Sequence, residues 1–130
     1  LWISGYNRRI GYRLDDHQLR GYMASFNESI LPETLRSIDS ATFTGSYQAL
    51  GTPLVYAARA VKWTNNSNKD VTLSWNGTVD HEFIPAGSSF IFDVAANKEG
   101  TNQCYIAAGT QFYVKGSAGT GSFYMSSYYA

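Results

Sequence analysis

"TNNSNKDVTLSWNGTVDHEFIPAGSSFIFDVAANK", residues 64–98, decides how the rest of the chain is read. Polar turns separate short runs in which apolar and polar residues alternate, and a period of two is the mark of strands buried on one face. Val71, Leu73 and Trp75 share a face of one such run. Asn76-Gly77 follows, and because both residues tolerate the positive φ of a type I′ turn, it predicts a tight hairpin into a strand over 78–84. Pro85-Ala86-Gly87 makes a corner before another strand over 88–94. The same stretch carries Asp80-His81-Glu82. On a strand Asp80 and Glu82 point to one side and His81 to the other, so the three cannot converge as a catalytic trio. The expected reading is the solvated outer face of a strand. A divalent cation held by the oxygens of Asp80 and Glu82 is the alternative.

Working outward, the same texture runs from Ser40 to the last residue. It predicts strands over 42–50, 58–65, 71–75, 104–107, 111–115 and 122–129 besides the two already named. In the second of these, Ala60, Lys62 and Thr64 alternate with Val61 and Trp63. The tract Asn65-Asn66-Ser67-Asn68-Lys69-Asp70 reads as a hairpin loop. About eight short strands, with turn residues at regular intervals and no long helix, give an all-β fold. The expectation is a small antiparallel β-sandwich or jelly-roll-like domain over 40–130, preceded by an arm over 1–39. The composition changes near Pro32. Before it, Arg8, Arg9, Arg13 and Arg20 mix with aromatic residues and show no sustained period. A short amphipathic helix over 15–26 is one reading, with Leu14, Leu19, Tyr22, Met23 and Phe26 apolar at roughly helical spacing. An extended segment that orders against a neighbour fits equally.

Composition narrows the function classes. At 130 residues the chain is one domain in size, and ten basic residues balance ten acidic ones. Zero net charge argues against nucleic-acid binding, whose affinity comes from cations neutralising phosphates, and against a polybasic membrane contact. It also leaves little repulsion between copies, which favours self-association. No apolar run has the roughly 18 residues that a membrane-spanning helix requires. The single Cys104 has no partner for an internal disulfide and is expected to be an ordinary buried thiol. His17, His81 and Cys104 lack any zinc-ligand spacing. "KGSAGTG" (115–121) is flanked by strands and is a hairpin loop rather than a phosphate-binding loop. No Gly-x-Ser-x-Gly elbow is present, and no histidine is placed to activate a nucleophile. An enzyme is therefore not expected, nor a cofactor or metal.

The closing "SFYMSSYYA" is dense in tyrosine. Tyr128 and Tyr129 are adjacent on a terminal strand, so one of them faces outward and is a candidate for partner binding. Trp63, Trp75 and the tyrosines offer material for a sugar-stacking platform, which keeps a glycan-binding module open. The register beside Val61 and Leu73 turns the two tryptophans toward the core instead.

Taken in order, "ATFTGSYQALGTPL", "KWTNNSNKDVTLSWNGTVDHEFIPAGSSFIFDVAANK" and "AAGTQFYVKGSAGTGSFYMSSYYA" resemble a family of small all-β virion structural proteins of tailed bacteriophages. The resemblance covers residues 40–130 and brings no catalytic residues with it. It implies a structural component of the virion, either a capsid decoration or a head–tail neck or collar protein, assembled in the bacterial host cytoplasm. Its partners would be its own copies and a capsid, portal or collar protein. In that setting the arm would anchor the domain. Arg8, Arg9, Arg13 and Arg20 would meet acidic surfaces while Trp2, Tyr6, Tyr12, Tyr22 and Phe26 supply contact area. An adhesion module on the virion surface is the alternative.

Overall fold

The structure, a computed structural model, describes residues 29–94 and 104–130. Its strands in chain order are β1 (Leu31–Pro32), β2 (Arg36–Asp39), β3 (Gln48–Ala49), β4 (Ala60–Ser67) and β5 (Val71–Ser74). They continue with β6 (Glu82–Ile84), β7 (Ser89–Asp93), β8 (Tyr113–Gly116) and β9 (Gly121–Tyr129). A 3-10 turn, Ser40–Thr42, follows β2. Every strand pairing is antiparallel. A five-stranded sheet runs β1-β9-β4-β7 with β2 also paired to β9, and a four-stranded sheet runs β3-β8-β5-β6. The two pack as an all-β sandwich, the expected class.

Alternation explains the core. β4 turns Val61, Trp63, Asn65 and Ser67 inward, and β9 does the same with Phe123, Met125 and Ser127. The second sheet answers with Val71 and Leu73 from β5, Ile84 from β6 and Val114 from β8. Fully burying one such large side chain contributes roughly 1.5–3 kcal/mol. Trp63 sits at the centre, edge-on to Phe112 at 5.6 Å and stacked parallel to Phe90 at 5.7 Å. Trp75 closes the layer, edge-on to Phe92 and Phe112. Both tryptophans therefore serve the core, as their register indicates, and neither forms an open platform.

Several expectations need correction. The boundary at residue 40 falls inside the domain, because β1 and β2 pair with β9 from Leu31↔Tyr129 to Asp39↔Ser122. Residues 31–32 and 36–39 of the expected arm are thus sheet, while the helix expected over 15–26 lies outside the described residues. The strand expected over 42–50 shrinks to β3. Asp39 caps the 3-10 turn by accepting a hydrogen bond from the Ala41 N–H, and Gly45 takes a φ of 87°, so extended backbone resumes only at Gln48. The tract at 65–70 is partly strand, since β4 runs on to Ser67.

The Asn76-Gly77 hairpin is not a two-residue turn. Gly77 has the expected positive φ of 84°, yet β5 ends at Ser74 and β6 begins at Glu82. Side chains organise the longer loop: Ser74 Oγ accepts the N–H groups of Asn76 and Gly77, and Asn76 Oδ1 accepts those of Thr78 and Val79. Such local bonds offer the backbone an alternative to the ladder. The strand expected at 104–107 is a single bridge, Ala58↔Ile106. Only Ile106 turns inward there, so Cys104 is exposed rather than buried.

Candidate functional site

Two hollows and one sheet edge stand out on the surface of the described residues. The larger hollow, about 580 Å³, lies where β2 passes the loop after β3, and its lining includes Glu33, Leu35, Arg36, Val55, Tyr56 and Tyr129. Arg36 and Glu33 form an ion pair at 2.7 Å, with each side chain only 5 % exposed. A charged pair so placed is the usual sign of a site, and its hydrogen bonds show what it does. Arg36 Nε donates to Thr52 O, Nη1 to Ser127 Oγ and Thr34 O, and Nη2 to Glu33 Oε1 and Pro53 O. That uses every donor a guanidinium possesses. Glu33 accepts from Arg36 and from the backbone N–H groups of Val55 and Tyr56. Burial alone would raise the Glu33 pKa, but the Arg36 hydrogen bond, the two backbone donors and the Arg36 charge together hold it below the ordinary value. The pair is a clamp that fastens the segment before β2 to the loop at 52–56 and to β9. Gly51 makes room for it, because a Cβ there would stand 2.9 Å from Arg36 Cγ.

Tyr56 and Tyr129 form the rim of this hollow, stacked with ring centroids 4.0 Å apart. Burial raises the Tyr129 pKa, with Tyr56 and the Glu33 charge adding to the effect. Of the two tyrosines singled out in the sequence, Tyr129 thus packs against its own chain, and Tyr128 is half-buried opposite Ala60 and Pro32. The arm candidates Trp2, Tyr6, Arg8, Arg9, Tyr12, Arg13, Arg20, Tyr22 and Phe26 lie outside the described residues.

The smaller hollow, about 240 Å³, is lined by Thr72, Asp80, His81, Glu82 and Phe83. Strand alternation does not separate these residues, since only Glu82 and Phe83 lie in β6. They share a shallow surface, and the side chains of His81 and Asp80 are engaged individually. His81 Nδ1 accepts the Trp75 N–H at 3.0 Å. Asp80 accepts from the Tyr47 hydroxyl and pairs with Lys115 at 3.1 Å. Lys115 in turn lies 4.7 Å over the Tyr47 ring. The hydrogen bonds from Tyr47 and Lys115 lower the Asp80 pKa, while burial and the Asp80 carboxylate push the Tyr47 hydroxyl up to about 12. The sequence pointed to Asp80 but not to Tyr47 or Lys115, which reach it from β3's approach and from β8. Among the described residues, no three His, Cys, Asp or Glu side chains come together as a metal-ligand set.

The third place is an edge. β7 borders the five-stranded sheet, with Phe90 40 % and Ile91 63 % exposed. Phe83 on neighbouring β6 is 62 % exposed. The Arg36–Glu33 pair and Asp80 are thus taken up by their own chain, whereas Phe83, Phe90 and Ile91 stay exposed. No protein-family model matches the chain, and no match was found among curated proteins or solved structures.

Proposed function

We propose that this chain is a structural assembly module, acting by self-association and by anchoring through the residues that precede the sandwich. The distribution of surface chemistry carries this reading. The buried ion pair has its hydrogen-bonding groups occupied by its own chain, whereas Phe83, Phe90 and Ile91 stay open to solvent. Surfaces of that kind bind other proteins by burying area rather than by transforming a ligand. The resemblance of residues 40–130 to tailed-phage virion proteins supports a location on a phage particle, where the module would act as a capsid decoration or a neck or collar component. Locating the protein on purified particles by labelled imaging tests this directly. A regular set of copies at one location supports the reading, and absence from washed particles overturns it. Removing residues 1–28 should lower the copy number on the particle; a full complement would remove the anchoring role.

One observation favours a second reading, glycan adhesion on the same particle. Tyr56 is half-exposed beside Tyr129 at the rim of the larger hollow. Aromatic faces of this sort stack sugar rings. Binding of host surface polysaccharide that Tyr56→Ala abolishes would favour adhesion over scaffolding.

A further inference from the structure

β7 differs from every other edge of the sandwich. β3 has two residues and β6 three, β6 is closed by Pro85, and the β1–β2 edge carries Pro32. Short strands and prolines are the ordinary protections of a sheet edge against pairing with another chain. β7 has five residues, Ser-Phe-Ile-Phe-Asp, with neither proline nor lysine. Its register also shows which backbone groups face outward. Asn65 N–H donates to Ser88 O and Val94 N–H to Arg59 O, so even-numbered residues of β7 bond toward β4. The N–H and C=O of Ser89 and Ile91 therefore point away from the sheet.

We infer that β7 pairs antiparallel with β7 of a second copy, with Phe90 opposite the partner's Phe90, joining two five-stranded sheets across a two-fold axis. This inference rests on the assembly reading and names the surface through which it works. In this register Ser89 and Ile91 exchange backbone hydrogen bonds with the partner's Ile91 and Ser89. The two Phe90 rings meet as a closely spaced non-hydrogen-bonded pair, the arrangement that favours cross-strand aromatic contact. Asp93, the strand's one charged residue, falls opposite the partner's Gly87 and so meets no like charge across the seam. A second copy satisfies the edge because antiparallel pairing about a two-fold is self-complementary. The shorter or proline-bearing edges elsewhere stop the addition at two.

The experiment uses the full chain. Light scattering coupled to size exclusion over a concentration series should show a monomer–dimer equilibrium. Ile91→Lys and Ile91→Pro should each raise the dimer dissociation constant about tenfold or more, with the thermal transition retained. The proline removes an N–H that, by the register, points away from β4. In a Cys104→Ser background, oxidised Phe90→Cys should form a disulfide-linked dimer, since paired Cα atoms of this type lie about 4.5 Å apart, within disulfide reach. Thr72→Cys, on the opposite sheet, should remain monomeric under the same oxidation. A monomer at every concentration overturns the inference, whether the edge is covered by another part of the chain or by a different protein. Oligomers indifferent to Ile91 also overturn it, while leaving self-association through another surface intact. Cross-linking through Ile91→Cys but not through Phe90→Cys overturns the register. Recovery of the protein on particles is read separately, so the assembly reading can fail or survive on its own.

Discussion

Asn65 is fully buried, yet its amide is completely satisfied: Nδ2 donates to Lys69 O and Ile84 O, and Oδ1 accepts from the Ser67 N–H and hydroxyl. One side chain thereby ties β4 to the turn after it and to the end of β6. Asn65→Ala would take the Asn65 partner from Ile84 O and from the Ser67 N–H, while the Ser67 hydroxyl and Lys69 O keep each other, and each orphaned buried group costs about 1–3 kcal/mol. Partial rehydration limits the total, and denaturant unfolding should report a loss of about 2–4 kcal/mol. Glu33 gives a prediction in pH. Its folded-state pKa lies below the ordinary 4.5, so the unfolded chain takes up the proton first as the solution is acidified. The clamp's contribution is complete above the unfolded value and is lost as pH falls through the lower folded one. Glu33→Gln should cost about 1–3 kcal/mol at neutral pH and flatten the decline toward about pH 3, measured by urea midpoints. An unchanged acid limb would show that another carboxylate controls it. Tyr47 acts at the opposite end of the scale. With its pKa raised to about 12, its contribution persists up to the ordinary value of 10.0 and fades between the two.

Elements were legible where the inward residues are apolar and obscure where they are polar. Val61 and Trp63, Val71 and Leu73, and Phe123 and Met125 announce β4, β5 and β9 by period two. The continuation of β4 through Asn65 and Ser67 reads as a turn because nothing local reveals that Ile84 O and Lys69 O await them. β2 is hidden for the same reason. Its leading inward residue is Arg36, whose acceptors come from Thr52, Pro53 and β9, far along the chain. The candidate site inherits this limit: Asp80 stood out, but Tyr47 and Lys115 are brought to it only by the sheet. Backbone geometry gives a test at this scale. Gly109 and Gly121 both have positive φ, 88° and 91°, and share the left-handed penalty on alanine, about 1–2 kcal/mol. They differ in space. A Cβ at Gly109 meets nothing within 4 Å, whereas one at Gly121 would stand 2.1 Å from Asn66 O, where β9 begins alongside the end of β4. Gly121→Ala should therefore exceed Gly109→Ala by a further 1–3 kcal/mol or so, the typical cost of overpacking. Equal losses in thermal melts would mean that β4 and β9 are not so closely apposed.

At the scale of the molecule, β9 holds the first sheet together. It is the longest of the described strands, nine residues, and it pairs with β1 and β2 along one side and β4 along the other. Through β4 it also supports β7, the edge on which self-pairing depends. Its inward Phe123 and Met125 belong to the core, and its Ser127 meets the Arg36 clamp. Losing β9 would leave one edge of β4 unpaired, detach β1 and β2, and remove Phe123 and Met125 from the layer that packs on the second sheet. A chain stopped after Thr120 should accordingly show no cooperative thermal transition, although only ten residues are removed from the 130. Removing residues 1–28 deletes more sequence and should do far less, because the described pairing begins at Leu31 and the described core begins at Phe43. For a domain of about 100 residues, 1 kcal/mol corresponds to roughly 4–8 °C in Tm, so the shortened chain should melt within a few degrees of the full one. Calorimetry on the two truncations separates the alternatives. A cooperative transition in the chain ending at Thr120 would show that β4 holds its sheet without β9. Loss of the transition after removing residues 1–28 would instead show that the segment preceding the sandwich is part of the folding unit, and the anchor would have to be sought elsewhere on the domain.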